Sequence, residues 1–143
     1  MKVIFHEFRQ ATGATKLPFF SSKVAAGFPS PADDYLQKLL DLNEHLVKHP
    51  SATFIVEAVG SSMIGAGIQP GALLIVDRSL KAKHNDIVIA SLNGEFTCKI
   101  LDMKGKALRA ANPDFPPILI PEGSEIEIFG VVIHAVNKLC SRS

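Results

Sequence analysis

Two short stretches hold side chains able to work as a nucleophile and a base: "GSSM" at residues 60–63, and "EFTCK", which ends at Lys99. A serine hydroxyl becomes an effective nucleophile when a neighbouring base takes its proton. Ser61 and Ser62 follow a glycine at the end of an apolar strand pattern. A hydroxyl there can be held at a sheet edge while the backbone N–H groups of Ser61 and Ser62 face an oxyanion. The same residues suit a plain solvent-facing turn. Histidine is the common base, but His6, His45, His49, His84 and His134 form no sequence pattern with an acid that implies a triad. Lysine is the other solution, because burial away from an acid favours its neutral, basic form. Lys99 shares one face of a strand pattern with Thr97 and Leu101, with no carboxylate beside it. An ordinary strand lysine with its ammonium in water shows the same pattern. Cys98 and Cys140 form no CxxC, so no disulfide framework, metal site or cofactor is expected.

The elements around these residues change character along the chain. Residues 1–26 show no sustained period and read as an extended arm. Within them "VAAGFPSP" (24–31) begins, a run of small uncharged residues that suits either a linker or a peptide bond meant to be cut. "SPADDYLQKLL" is expected to begin a helix, with Ser30 as N-cap, Pro31 in the first helical position and Asp33 completing a capping-box-like pattern. "DLNEHLVKH" predicts a second short helix that stops before Pro50. Beyond it come strand-like runs at 53–59, 72–77, 86–92, 94–101, 107–110, 118–120 and 125–136, with a tight hairpin at "LNGE" (92–95). Short strands at this frequency predict a mainly β protein, an antiparallel fold that is partly closed or sandwich-like.

Composition narrows the function. The chain has 143 residues and a net charge of +1, but residues 1–26 carry four basic residues against one acidic, leaving residues 27–143 with 11 basic and 13 acidic. A body without a basic stripe is not built to hold a phosphate backbone by itself, so any DNA contact is expected through partners. No apolar run approaches the roughly 20 residues of a membrane span, and the N-terminus lacks a signal-peptide pattern; a cytoplasmic protein is expected.

"GFPSPADDY", "DLNEHLVKHPSATF", "GSSMI", "GALLIVDRS", "HNDIVIASLNGEFTCKIL" and "FGVVIHAV", in this order and spacing, resemble the UmuD/MucA/RumA mutagenesis proteins. These are self-cleaving relatives of the LexA repressor with a catalytic core similar to that of signal peptidases. The resemblance covers nearly the whole chain from about residue 17. It implies a LexA/signal-peptidase-like antiparallel β-fold with short N-terminal helices, divided into a cleavable arm (1–26) and a peptidase and dimerisation domain (27–143). It further implies Ser62, directly before Met63, as nucleophile, Lys99 as base, and Ala26–Gly27 as the cleaved bond. Ser61 departs from the acidic residue often found at that position. The implied partners are a second copy of the chain, a RecA filament on single-stranded DNA, and a UmuC-like Y-family polymerase subunit.

With that cleavage bond, the bare stretch has a physical reading. Val24 and Ala26 point the same way in an extended strand, Ala25 points the other way, and Gly27 has no Cβ to block an attacking serine. The rival reading is a non-catalytic dimeric binding module with a flexible N-terminal arm.

Overall fold

The computed structural model describes residues 1–5, 15–20, 36–124 and 126–142. The chain separates into two compact units, Arg9–Lys48 and the remainder, Met1–Phe8 with His49–Ser143. The expected boundary between residues 26 and 27 lies outside the described residues.

In the smaller unit, β2 (Lys16–Phe20) pairs antiparallel with β3 (Leu36–Asp41), followed by the helix α1 (Leu42–Leu46). Asp41 caps α1 by accepting a hydrogen bond from the Asn43 N–H at 3.0 Å. The helix expected through "LQKLL" is therefore corrected to a strand. Leucine and lysine favour a helix locally, but pairing with β2 supplies partners from another part of the chain. Ser30, Pro31 and Asp33, the expected start of that helix, lie outside the described residues.

The larger unit is built from β1 (Lys2–Phe5), β4 (Thr53–Val59), β5 (Leu73–Asp77), β6 (Ile87–Leu92), β7 (Glu95–Asp102), β8 (Ala107–Arg109), β9 (Ile118–Leu119) and β10 (Glu127–Val136). Their order across the sheet is β1-β4-β5-β10-β6-β7-β8-β9, and a further pairing joins β1 to β7 at Lys2 and Thr97. Six strands thus close into a small antiparallel barrel in which β1 is the stave between β4 and β7. This agrees with the expected mainly β, LexA-like fold.

Side-chain alternation fills the barrel. Val56 and Ala58 of β4, Leu74 and Val76 of β5, Ile89 of β6 and Cys98 of β7 are buried together with Met63 and Ile68. A second cluster of Val88, Ala90, Leu101, Leu108 and Val131 packs on the other face of the sheet. Leu74, Ile75 and Val76 are buried in succession, as suits a strand flanked by β4 and β10. The β6–β7 hairpin turns through Asn93 and Gly94, both at positive φ, as its sequence predicts.

The loop after β4 is held against the segment following β8. Gly65 donates its N–H to the Ala111 carbonyl at 2.7 Å, and a Cβ at Gly65 would lie 2.5 Å from that oxygen. Gly65→Ala must push this loop off the Ala111 backbone. Thermal unfolding of this variant should show a loss of about 1–3 kcal/mol, whereas Ile64→Ala, at an exposed position, should cost well under half of that.

Candidate active site

β4 delivers the chain to Gly60, and the next residues turn back over the barrel end through a short 3-10 helix, Ile64–Ala66. Met63 is fully buried in the barrel core and anchors the turn. Two carbonyls fix its orientation: that of Ser62 accepts from the Ala111 N–H at 2.9 Å, and that of Ser61 accepts from Asn112 Nδ2 at 2.9 Å. Ser62 is thereby held with only 1% of its surface exposed.

Lys99 arrives from β7. Thr97, Lys99 and Leu101 share a face as the alternation predicts, but the ammonium does not reach water: Lys99 is 4% exposed. Its Nζ lies 3.0 Å from Ser62 Oγ, 3.2 Å from Thr97 Oγ1 and 3.3 Å from the Cys98 carbonyl oxygen. An ammonium donates to all three. A neutral amine has two N–H groups and a lone pair. It can keep the bonds to Thr97 and Cys98 and accept the Ser62 proton, which is the geometry a general base needs.

Three neighbouring groups have other placements. Burial, chiefly, pushes the Cys98 thiol up to about 12, so it stays protonated beside Lys99. The structure does contain a close His–Asp pair: His49 Nδ1 is 2.6 Å from Asp77 Oδ2, and Asp77 Oδ1 also accepts from Ser79 Oγ at 2.6 Å. Burial works to raise the Asp77 carboxyl, but the hydrogen bonds from His49 and Ser79 outweigh it and hold the group below its ordinary range. Asp77 pairs with Thr53, at the opposite end of β4 from Val59 and the Ser62 turn, so this pair cannot serve Ser62. His84 sits by Asp102, 3.7 Å away.

Met1 completes the surroundings. Its carbonyl accepts from the Cys98 N–H at 3.0 Å and from Thr97 Oγ1 at 2.9 Å, and its amino group donates to Thr97 Oγ1 at 3.3 Å. Burial, followed by the neighbouring Lys99 amine, lowers that amino group to about 5. A cavity of about 370 Å³ opens here, lined among others by Met1, Thr97, Lys99, Phe115 and Ile118.

The structure thus brings together Ser62 and Lys99, two of the residues singled out in the sequence, and places Ser61 immediately before the former. Val24, Ala25, Ala26 and Gly27 lie outside the described residues. Sequence reasoning passed over Asn112 and Ala111, which orient the serine turn. It noted Thr97 only as a neighbouring hydroxyl.

Residues 18–133 match the Peptidase S24-like family. The protein MucA of Salmonella typhimurium is 43% identical over 146 residues, covering 99% of this chain and all of MucA. SamA of the same species is 47% identical over 85% of each chain. The LexA repressor of Dechloromonas aromatica is 37% identical over 88% of this chain and 63% of the repressor. Matches of this identity and extent, on a barrel that buries a serine against a lysine, carry one conclusion: the chain belongs to the Peptidase S24-like family, together with the MucA group that its motifs resemble.

Proposed function

We propose that this chain is a mutagenesis protein of the SOS response that cuts itself between Ala26 and Gly27, using Ser62 as nucleophile and Lys99 as general base. The observation that carries the reading is the buried 3.0 Å contact between Ser62 Oγ and Lys99 Nζ. Neutral Lys99 takes the Ser62 proton as Oγ bonds to the Ala26 carbonyl carbon. The tetrahedral intermediate collapses, the Ala26–Gly27 C–N bond breaks, and Lys99 returns the proton to the Gly27 amine. Water then enters, Lys99 removes one of its protons, and the acyl-serine is hydrolysed to free the Ala26 carboxylate and regenerate Ser62. The Ser62 backbone N–H is a donor for the oxyanion; its peptide unit is oriented through the Ser61 carbonyl, which accepts from Asn112, and the following unit is held by the bond from the Ala111 N–H to the Ser62 carbonyl.

The substrate is part of the same chain, so its effective concentration is high and little binding energy is needed. Control then rests on how often the segment docks. A RecA filament on single-stranded DNA favours the docked conformer without supplying a catalytic group; a shift from 1:99 to 99:1 takes about 5.5 kcal/mol. The product, residues 27–143, acts in the cytoplasm as a homodimer that joins a UmuC-like Y-family polymerase subunit. It reaches DNA through these partners. The relatives named MucA and SamA support this role, and no helix among the described residues is long and apolar enough to cross a membrane.

Ser62→Ala should abolish cleavage on a denaturing gel after incubation with activated RecA, while Ser61→Ala keeps substantial activity; the reverse pattern would transfer the role to Ser61. Lys99→Arg and Lys99→Met should each cut on the order of a thousandfold more slowly with circular dichroism unchanged. Mass spectrometry of the wild-type product should place the new N-terminus at Gly27, and Ala26→Trp should prevent processing. A new N-terminus elsewhere would remove the shaped-substrate reading of residues 24–27.

A further inference from the structure

A strand already lies in the sheet beside Ser62 and Lys99. Ser62 follows the end of β4 and Lys99 lies on β7, so a peptide that presents its carbonyl to Ser62 by extending the sheet would add between these strands. β1 runs there. It pairs antiparallel with β4 from Lys2 opposite Val59 to Phe5 opposite Val56, and with β7 at Lys2 opposite Thr97. Among the described residues, the other edge of β4 is taken by β5 and the other edge of β7 by β6, so a strand that pairs with both β4 and β7 has only the place of β1.

The stave is anchored at both ends. At one end, the Met1 carbonyl takes the Cys98 N–H and the Thr97 hydroxyl, so the hydroxyl that also accepts from Lys99 Nζ is committed to β1. At the other, the Phe5 ring packs against Phe54, Phe96 and Phe129 at centroid distances of 5.7, 4.8 and 6.2 Å. Between them Val3 packs on the barrel core.

We propose that β1 is an autoinhibitory strap: residues 1–5 occupy the β4–β7 edge beside Ser62 and Lys99, and the segment holding Ala26–Gly27 docks there only after β1 has left. The inference rests on the proposed self-cleavage. It adds the competing element that keeps the cleavable conformer rare, and it locates the event a stimulating partner must favour, the exchange of one strand for another in a single slot.

Two changes to the strap in the full chain test this. Val3→Asp with Phe5→Asp releases it. Ile4→Cys with Glu57→Cys, in a Cys140→Ser background, locks it by a disulfide between facing positions. Spontaneous cleavage should rise about tenfold in the released chain. It should stop in the oxidised locked chain and recover on reduction, which makes the reduced form the control for folding. A readout independent of cleavage uses the same changes in a Ser62→Ala, Ala26→Trp chain, whose own segment is too bulky to dock. Fluorescence anisotropy there follows a labelled peptide of sequence VAAGFPSP. The peptide should bind the released chain about tenfold more tightly than the parent and should not bind the locked chain until it is reduced. Equal binding to released and locked chains, or none to the released chain, overturns the strap. Binding in the expected order with no cleavage in any Ser62 chain would uphold the strap and overturn the self-cleavage reading instead.

Discussion

An amine removed from water needs an acceptor for every N–H it carries, and the larger unit of this protein is arranged around one such amine. Lys99 is almost wholly buried, and its three partners are all uncharged oxygens: two hydroxyls and a peptide carbonyl. Two of the three come from β7 itself, from Thr97 two residues away on the same face and from the adjacent Cys98 peptide. The third has to come from another part of the chain. Burial without that third partner would leave a polar group unsatisfied, at a cost of about 1–3 kcal/mol. The Ser62 hydroxyl is therefore the third acceptor when the lysine is an ammonium, and the donor to its lone pair when it is a neutral amine.

Meeting that requirement fixes the loop after β4. Met63 ties it to the barrel core, the Gly65 backbone sits directly on Ala111, and Ala111 and Asn112 take up the two serine carbonyls. Residues from three places in the sequence, 60–65, 97–99 and 111–112, converge on a few ångströms. None is in a long helix, so the position of Ser62 is set by sheet register and backbone contact. The backbone contacts at Gly65 and Asn112 leave the serine turn little room to shift without breaking a hydrogen bond.

The legibility of this arrangement in the sequence follows from the kind of contact involved. Strands β4 to β7 and β10 could be read because alternation and β-branched residues report directly on which face is buried. The hairpin at Asn93–Gly94 could be read because its backbone conformation demands those residue types. Lys99 could be singled out because alternation placed it with a leucine and a hydroxyl. Its burial could not, since a strand pattern does not say whether a face meets solvent or another segment. The stretch 36–41 misled because its leucines and lysine suit a helix, while the pairing with β2 that decides the matter is a contact across some 20 residues of sequence. Ala111 and Asn112 left no signal: they act through backbone groups and one amide, in a loop with no period.

Cys98 shows a further consequence of the same burial. Its side chain points into the barrel core, one residue from the lysine, and its thiol is held protonated up to about 12. Peroxide and disulfide exchange act on the thiolate, so a sulfur kept in the thiol form and out of water is a poor target for both. In the proposed mechanism the working groups are a hydroxyl and an amine, and sealing Cys98 in this way leaves no reactive thiolate beside them for an oxidant to modify.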